Sequence, residues 1–575
     1  MRWIIILLSS FITFAAAGKH FNGNGPFGKP HRIDDHPEDA CRHPPHVSSS
    51  ISETVATLNV STTIYSTNEQ IIITWTSVST VCQDDFIAIY FAEIPLTAAC
   101  DYYDYEVVNK TQGSMSWQMI NLRRPLEFRY YSRDHTCLGN YTSLAKSPVI
   151  QPRNYNEPTH IHLAYSDRID QMFVSYLTNS SQYIPKCQYG LSPSSLNFRQ
   201  NGTTTTYTAS DMCEGKANTW GSRAFIDPGY MHTILLENIH PSITYYYRVG
   251  TDEHGWSPIN SFTNRPADKN EAVYMIAYGD MGLAPLAPGS QSTTDRVRAR
   301  VQSTNVTCVL HLGDLSYAMG IAVQWDGFMN QIQPIAAHVP YMAAIGNHEY
   351  DHVLGGEKDP SGASGPGGFR PAWGDYLYDS RGECAIPMVH RFHSPSNGNS
   401  LFWYSFDVGP IHIIHFSTEH DFRRSSIQYV WLEQDLRSVN RSRTPWLIVG
   451  SHRPMYASIR DDSHDFDFIA LMLQFHLEPL FYRYHVDVNL FAHRHSYDRT
   501  CPMYQRKCVS DGITHVLIGM AGQDIDTGEY TGAEWSMYHD EVYGYCQLWA
   551  NQTYLHFTYR HNIDDNIADQ FVLQK

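Results

Sequence analysis

The apolar positions of this chain follow two different periods, and the change between them falls near residue 267. Before that point, short apolar runs rich in β-branched and aromatic residues are separated by turn residues, which is typical of small β-sandwiches. The pattern predicts strands at 70–75, 86–91, 126–131, 160–163, 172–177 and 244–249. We therefore expect an N-terminal all-β module over 46–150 and a second, fibronectin type III-like module over 151–266.

After residue 267, apolar strands alternate with amphipathic helical stretches, which predicts a layered α/β domain of two sheets flanked by helices. The helix candidates are 294–302, 325–336, 427–439 and 466–481. We expect this domain to span 267–500. The last segment, 501–575, returns to β runs such as 514–518 and is expected to complete the sheet. Neither β module carries a cluster of chemical groups, so both are interpreted as structural.

The first 17 residues have the features of a secretory signal peptide, with Arg2, a short apolar run and small residues up to Ala17. A membrane anchor is the alternative, but the run is too short and no stop-transfer pattern follows. Residues 18–45, rich in Gly, Pro and His, are expected to form a flexible leader, although a His-rich tract can also bind metal loosely. No later stretch is predicted to span a bilayer, so we expect an extracellular, lysosomal or vacuolar protein.

Glycosylation motifs and cysteines also agree with secretion. Eight Asn-x-Ser/Thr acceptors predict N-linked glycans, at Asn59, Asn109, Asn140, Asn179, Asn201, Asn305, Asn440 and Asn551. All 11 cysteines lie beyond the signal peptide, where disulfides are expected. Cys501 with Cys508, and Cys187 with Cys213, are candidate pairs, although sequence does not determine connectivity. The odd count leaves at least one thiol unpaired, and Cys308, in an apolar strand, is our candidate.

The composition of the 575 residues is that of a globular protein, with 42% hydrophobic and 17% charged residues. The net charge of −17 and the lack of a basic stripe give the chain no electrostatic reason to bind nucleic acid. The 30 histidines would gain charge between neutral and mildly acid pH, so the negative field fades in an acid compartment. This behaviour fits an acid-active enzyme.

Five apolar strands of the α/β domain each end in residues that can bind metals. Asp280 follows 272–278, Asp314 and Tyr317 follow 306–312, Asn347 follows 341–345, His452 follows 446–449, and His493 and His495 follow 486–491. Alone, each has an ordinary explanation, such as a turn-forming Asp or a capping Asn. Because ligands bind outside the carboxyl ends of strands in layered α/β proteins, all five strand ends are expected at one edge. Together they predict a metal site.

The donor types indicate which metals this site would hold. Mixed oxygen and imidazole donors suit Zn, Fe or Mn rather than Ca or a thiolate site. Tyr317 is the most informative donor. A phenol with a pKa near ~10 ionises in mild acid only beside a strongly charged Lewis acid, which argues for Fe(III).

The motifs GDMG (279–282), GDLSY (313–317), GNHE (346–349), VGSH (449–452) and AHRH (492–495) occur in this order. They resemble the five blocks of purple acid phosphatases, within the calcineurin-like metallophosphoesterase superfamily, in the large multi-domain plant-type form. The resemblance extends to 382–384, 452–456, 499–502 and 519–522, and covers nearly the whole mature chain. One departure is Ala492, where the family usually has Gly; alanine is strained if the φ angle there is positive.

The resemblance implies a role for each residue. Fe(III) would be bound by Asp280, Asp314, Tyr317 and His495, and a divalent ion (Zn, Mn or Fe) by Asp314, Asn347, His452 and His493. His348 would contact the substrate and help to protonate the leaving group, and His464 would be a second acid. The Gly-rich insert 355–374 is either a lid over the site or a surface loop.

We therefore hypothesise that the protein is an acid phosphatase, which uses two metals to hydrolyse phosphate monoesters of small substrates. A metal-dependent phosphodiesterase or nucleotide pyrophosphatase is the first alternative. A non-catalytic secreted binding glycoprotein is the second, and the full ligand set argues against it. The oligomeric state stays open, with a homodimer as one option.

Overall fold

The computed structural model describes residues 56–77, 81–82, 85–96, 101–132, 141–213, 215–221, 224–350, 358–363, 379–460, 464–526 and 528–575, without the side chains of 460 and 464–467. The predicted signal peptide and leader, and most of the insert 355–374, lie outside these residues. Two β-sandwich modules precede a larger α/β domain, as predicted. No helix in the described part of the chain is long and apolar enough to cross a membrane.

The described residues of the first module form nine strands. They are β1 (Ala56–Val60), β2 (Ile64–Tyr65), β3 (Gln70–Ser77), β4 (Phe86–Phe91), β5 (Asp104–Val107), β6 (Gln112–Gln118), β7 (Leu126–Ser132), β8 (Thr142–Lys146) and β9 (Gln151–Pro152). A sheet ordered β1-β3-β6 packs on one ordered β5-β4-β7-β8. In β3, Ile71, Ile73 and Trp75 are buried and alternate with exposed residues, so the pattern that predicted the strand also defines its inner face.

The second module is also a two-sheet sandwich. Its elements are β10 (Thr159–Tyr165), β11 (Gln171–Thr178), β12 (Lys186–Gly190), β13 (Phe198–Asn201), β14 (Thr203–Thr205), a 3-10 helix (Gly215–Asn218), β15 (Tyr230–Glu237), β16 (Thr244–Thr251), β17 (Gly255–Trp256) and β18 (Asn260–Thr263). One sheet is ordered β10-β11-β15-β14 and the other β13-β12-β16-β17, with β18 also paired to β16. The three strands predicted in this module are confirmed.

In its described residues, the α/β domain contains the remaining strands and six helices. The strands are β19 (Val273–Tyr278), β20 (Cys308–Leu312), β21 (Tyr341–Ala344), β22 (Tyr404–Val408), β23 (Ile411–His415), β24 (Trp446–Gly450), β25 (Ile459–Arg460), β26 (Val488–Phe491), β27 (Tyr497–Tyr504), β28 (Lys507–Cys508), β29 (Ile513–Ile518), β30 (Glu529–Tyr530), β31 (Ser536–Asp540), β32 (Gly544–Ala550), β33 (Tyr554–His561) and β34 (Ile567–Gln574). The helices are α1 (Ser290–Ser303), α2 (Ala322–Ala336), α3 (Ile386–Arg391), α4 (Ile427–Ser438), α5 (His464–His476) and α6 (Glu478–Arg483).

Two mixed sheets form the centre of this domain. One is ordered β21-β20-β19-β32-β33-β34, and the other β22-β23-β24-β26-β29-β27-β28 with β31 on β27. Within them, β19, β20 and β21 run parallel, and so do β23, β24, β26 and β29. The C-terminal strands β32 to β34 complete the first sheet, while β27 to β29 and β31 complete the second. The prediction that the last segment completes the sheet is therefore confirmed.

The predicted helices are confirmed except for 466–481, which forms two helices instead of one. The helical segment is interrupted between α5 and α6, and Pro479 lies in the first turn of α6. In a continuous helix, Pro479 could not donate to the carbonyl of Phe475, and its ring would collide with that carbonyl. The short helix α3 was not predicted, because six residues are too few to establish a helical period.

The cysteine predictions are partly confirmed. Cys501 and Cys508 form a disulfide, and Cys308 is a buried free thiol. The predicted pairing of Cys187 with Cys213 is wrong. Cys213 is bonded to Cys384, 171 residues away, and Cys187 is a buried free thiol in β12. The segment before the 3-10 helix leaves the sandwich and packs on the α/β domain, and this contact is invisible in the local sequence.

A buried ion pair joins the first module to the α/β domain. The guanidinium of Arg123 donates through Nη1 and Nη2 to the two carboxylate oxygens of Asp326 on α2, at 2.8 and 3.1 Å. Both side chains are nearly sealed from solvent. Ile321 and Val323, at the start of α2, belong to the core of the first module. Since α2 follows the GDLSY motif, the module supports the segment that carries Tyr317.

Replacing Arg123 by Met is expected to lower the free energy of unfolding by ~3–5 kcal/mol, because Asp326 would be left buried without its main cation. The neighbouring His160 Nε2 lies 3.6 Å from that carboxylate and is a weaker partner. Urea unfolding measures the change. The matched control, Arg124→Met, removes a largely exposed pair with Glu93 and should change stability by less than ~1 kcal/mol. Equal urea midpoints for the two variants would contradict the role of the pair.

Four buried histidines make the fold sensitive to acid. Burial lowers the pKa to about 3 in His160, His311, His415 and His515. An unfolded histidine titrates near ~6.5, so between these values only the unfolded chain takes up the proton. The stability contributed by the neutral rings is complete above pH 6.5 and is lost progressively as the pH falls toward 3.

Replacing His415 by Gln is expected to reduce this acid sensitivity. Between pH 7 and 4.5, the variant should lose ~3 kcal/mol less free energy of unfolding than the wild type, because one proton uptake is removed. Urea unfolding at both pH values gives the comparison. His556, which is exposed on β33, supplies the control His556→Gln, which should lose as much stability as the wild type. The same pH dependence in His415→Gln and the wild type would refute the explanation.

Candidate metal centre

The candidate site lies where the strands β19, β20, β21, β24 and β26 end. Four of its residues have left-handed backbone angles, which are uncommon outside glycine: Asp280 (φ 58°), Asp314 (φ 52°), Tyr317 (φ 52°) and His493 (φ 72°). Such strain persists only where the surrounding structure enforces it, and it clusters at functional sites. Gly313 (φ 83°), which precedes Asp314, can only be glycine, since a Cβ there would lie 2.6 Å from Nδ1 of His452.

Asp280, Tyr317 and His495 form the first group of donors. The phenol oxygen of Tyr317 lies 3.1 Å from Oδ1 of Asp280 and 2.9 Å from Nε2 of His495. Nε2 of His495 is 3.7 Å from the same carboxylate oxygen. Three donor atoms on three different loops therefore converge on one point.

Asp314, Asn347, His452 and His493 form the second group. Oδ1 of Asn347 lies 2.9 Å from Nε2 of His452 and 2.9 Å from Nδ1 of His493. The two ring nitrogens are 3.2 Å apart, and Oδ2 of Asp314 lies 3.2 Å from Nε2 of His452. Asp314, His452 and His493 each place one donor atom within 4.8 Å of the others. Spacings of this size are those of donors around a common cation.

Hydrogen bonds on the far side of two rings hold them in the orientation of a metal ligand. Nδ1 of His452 lies 2.9 Å from the carbonyl of Leu312, and Nδ1 of His495 lies 2.6 Å from the carbonyl of Asp524. A carbonyl only accepts, so each Nδ1 carries the proton and each Nε2 can present a lone pair to the site. A bound cation would be stabilised by such lone pairs together with the neighbouring carboxylate, amide and phenol oxygens. The residues therefore fit a metal centre.

Three of the four pKa shifts at the site reflect excess negative charge, and that of Asp314 reflects its pairing with His452. Burial, with the charge of Asp314, raises the pKa of Asp280 well above its usual value. Burial opposes the charge of Asp314, but His452 and then His348 outweigh it and hold the pKa of Asp314 well below its usual range. Burial likewise opposes the charge of His452, but Asp314 outweighs it and raises the pKa of His452 to about 10. Burial and then the charge of Asp280 raise the pKa of Tyr317 well above its usual value.

Glu349 is a functional residue that the sequence showed only as a spare carboxylate in the GNHE motif. Its Oε2 accepts from the backbone N–H groups of Asp314 and Gly346 at 2.8 and 3.0 Å, and its Oε1 from Leu315 at 2.7 Å. The buried carboxylate therefore clamps two of the donor-bearing loops together. Its position four residues after the strand could have marked it, but no local pattern shows three backbone partners.

The structure describes the side chain of one candidate acid, His348, but not that of the other, His464. His348 lies beside the donors, with its ring 4.4 Å from that of Tyr317 and its Nε2 3.9 Å from Oδ2 of Asp314. Its backbone N–H donates to Oδ1 of Asp314 at 3.0 Å, and its Nδ1 lies 2.9 Å from the carbonyl of Asp379. His464 is the first residue of α5, and its side chain lies outside the described part of the structure.

The departure at Ala492 brings no backbone strain. Ala492 is not among the residues with positive φ; the left-handed position is His493. A Cβ on Gly279 would lie only 2.3 Å from the methyl group of Ala492, so the glycine of the GDMG motif leaves the room that this methyl group occupies.

Two sheets with oxygen and imidazole donors at the ends of parallel strands define a phosphoesterase of the calcineurin-like class. The family model described as "Calcineurin-like phosphoesterase" matches residues 275–497. "Purple acid Phosphatase, N-terminal domain" matches 158–264, and "Iron/zinc purple acid phosphatase-like protein C" matches 512–570. Together with the relatives below, these matches show that the chain belongs to the purple acid phosphatase family, which depends on a binuclear metal centre.

Three known proteins illustrate the similarity. "Probable inactive purple acid phosphatase 9" of Arabidopsis thaliana is 32% identical, over 89% of this chain and 85% of its own length. A "Nucleotide pyrophosphatase/phosphodiesterase" of Hordeum vulgare is 33% identical, over 56% of this chain and 88% of its own. The structure of a purple acid phosphatase from yellow lupin (Lupinus luteus) seeds superposes with a TM-score of 0.79 at 27% identity, covering 90% of this chain and 96% of the lupin chain.

Proposed function

We propose that this protein is an acid phosphatase that hydrolyses phosphate monoesters at acid pH. The observation that carries the proposal is the convergence of all seven donor side chains in two adjoining groups. Asp280, Tyr317 and His495 would hold Fe(III), Asn347, His452 and His493 would hold Zn, Mn or Fe(II), and Asp314 would be shared. The metals, when bound, supply Lewis acidity toward the phosphoryl oxygens and the attacking water.

The protein's own residues would carry out the remaining tasks. His348 is held by the carbonyl of Asp379 at Nδ1, so a proton for the leaving group would be donated from Nε2, on the side of Asp314. The backbone N–H of His348 holds Oδ1 of Asp314 and orients that carboxylate. His464 is proposed as a second acid from its place in the sequence alone.

The test is metal analysis of the purified, glycosylated protein together with its visible spectrum. We expect two metal ions per chain and a phenolate-to-Fe(III) absorption band that is lost in Tyr317→Phe. Tyr554, which is exposed on β33, gives the control Tyr554→Phe, which should keep the band. The wild type should hydrolyse an aryl phosphate monoester at acid pH.

Other outcomes have distinct meanings. A colourless protein with two Zn or Mn ions would remove Fe(III) from the proposal but leave a phosphoesterase. A protein that binds no metal after iron and zinc are supplied would refute the enzymatic function. The remaining hypothesis would then be a binding glycoprotein built on the two β modules.

A phosphodiesterase or nucleotide pyrophosphatase is the second candidate, and the similarity to the "Nucleotide pyrophosphatase/phosphodiesterase" of Hordeum vulgare favours it. The same metal centre could serve both reactions, because substrate choice depends on the surrounding loops. Comparing kcat/KM for a bis-aryl phosphate with that for the aryl monoester decides between them.

We also propose that the protein is secreted, or delivered to a lysosome or vacuole, and carries N-linked glycans. The signal-peptide pattern supports this proposal, and so does the position of the acceptors. Six of the eight acceptor residues are exposed: Asn59, Asn109, Asn179, Asn201, Asn305 and Asn440. Asn551 is partly exposed, and Asn140 lies outside the described residues.

A further inference from the structure

Arg453 is a buried arginine beside the metal centre that the ligand set does not use. It follows His452 directly, and only 5% of the residue is exposed. Its Nε donates to Oε1 of Glu419 at 2.7 Å, and its backbone N–H donates to the hydroxyl of Thr418 at 3.0 Å. The same hydroxyl donates to Oε1 of Glu419 at 3.0 Å. The guanidinium is therefore held in one orientation.

The other edge of the guanidinium faces the ring of His493, on the side of the nitrogen that is not the donor atom. Nη1 lies 3.3 Å from Nε2 of His493. Nη2 has no hydrogen-bond partner among the described residues, and it is not one of the unpaired nitrogens that are sealed from solvent. A guanidinium that is nine-tenths buried and keeps an N–H group without a protein acceptor needs water or a ligand to supply that acceptor.

Arg453 and His348 both interact with Asp314 and Asp379. Burial opposes the charge of Arg453, but Glu419, and after it Asp379 and Asp314, outweigh burial and raise the pKa of the guanidinium. Asp379 and Asp314 are also the residues that hold the ring and the backbone N–H of His348. A permanently charged donor and the candidate acid therefore share these two neighbours.

We propose that Arg453 binds the phosphoryl group of the substrate, with Nη2 donating to a non-reacting oxygen. This inference rests on the proposed function and adds a substrate-binding residue to it. The planar, permanently charged guanidinium matches phosphate geometry, and its orientation by Glu419 reduces the entropy lost on binding. Glu419 therefore acts as a positioning residue for Arg453.

The test is the binding of inorganic phosphate to the metal-loaded protein by titration calorimetry, which requires no turnover. Replacing Arg453 alone would leave Glu419 buried without a partner, so Arg453→Met is combined with Glu419→Gln. The double variant should bind phosphate ~10–100-fold more weakly, the effect of one hydrogen bond to a charged group, and should keep its full metal content. Arg168→Met, which removes an exposed guanidinium paired with Asp170 in the second module, should leave the dissociation constant unchanged.

Two results would overturn the proposal. One is unchanged phosphate affinity in the double variant at full metal content. The other is a loss of metal that accounts for the loss of phosphate, which would make Arg453 a positioning residue for His493. If the double variant does not fold, Arg453→Lys keeps a charge beside Glu419 and should bind phosphate ~3–10-fold more weakly without losing metal; equal binding would overturn the proposal. A wild type that binds phosphate but hydrolyses no ester would refute the proposed function and leave this inference standing.

Discussion

Replacing Asp314 by Asn is expected to lower kcat/KM for an aryl phosphate by ~1,000-fold, which corresponds to about 4 kcal/mol of lost transition-state stabilisation. Asn keeps the shape of the side chain but removes its charge. Oδ2 of Asp314 lies 3.2 Å from Nε2 of His452, and Oδ1 accepts from the N–H of His348. Because Asp314 is the proposed shared ligand, its neutralisation should weaken both metal sites. Metal content and kinetics measured on the same preparation check this.

Asp511→Asn is the control for this change, because Asp511 is exposed and bonds only to the hydroxyl of Tyr482 among the described residues. It should retain wild-type metal content and kcat/KM. Two bound metals and activity within tenfold of the wild type in Asp314→Asn would exclude Asp314 as the shared ligand. Loss of one metal alone would assign Asp314 to that site only.

Replacing Glu349 by Gln is expected to weaken metal binding by ~10–100-fold and to lower activity at limiting metal accordingly. Only one oxygen of Gln can accept, so its NH₂ group must face either the N–H of Leu315 or those of Asp314 and Gly346. Burial and then the charge of Asp314 raise the pKa of Glu349 to about 8. A charged carboxylate at this position therefore depends on nearby positive charge, which bound metals would supply.

Because the charge of Glu349 depends on bound metal, the effect of the substitution should depend on metal as well. The metal-free Glu349→Gln protein should unfold at nearly the urea concentration of the metal-free wild type, because the uncharged acid and the amide are alike in charge. The difference should appear as weaker metal affinity, and excess metal should restore much of the activity. Glu534→Gln, on an exposed residue, should leave metal affinity unchanged. Metal affinity within twofold of the wild type in Glu349→Gln would show that the clamp is not needed.

The candidate ligands could be predicted because each follows an apolar strand directly. A run such as 306–312 predicts a buried strand, and the residues just after it must lie at the sheet edge. The five motifs therefore indicated convergence without any knowledge of which strands pair. The same reasoning could not reveal Arg453 as more than a neighbour of His452, since its partner Glu419 belongs to another loop.

The two failed predictions have different physical causes. Cys187 and Cys213 lie close in sequence, but Cys213 belongs to a segment that packs on the α/β domain and meets Cys384. The predicted helix 466–481 was continuous in its apolar period, yet Pro479 cannot supply the hydrogen bond that continuity requires. The disulfide depends on a contact between distant segments, whereas Pro479 lies within the predicted helix and interrupts it locally.

The order of the modules, most of the longer strands and helices, and the residue types at the strand ends follow from the sequence alone, because periodicity reports which face of each element is buried. How distant segments meet is visible only in the three-dimensional structure. Arg123 pairs with Asp326, 203 positions away, and Cys213 is bonded to Cys384, 171 positions away. Two of the three backbone partners of Glu349 lie 34 and 35 positions from it, and only Gly346 is close in sequence. Such contacts depend on packing in three dimensions, and no local period encodes them.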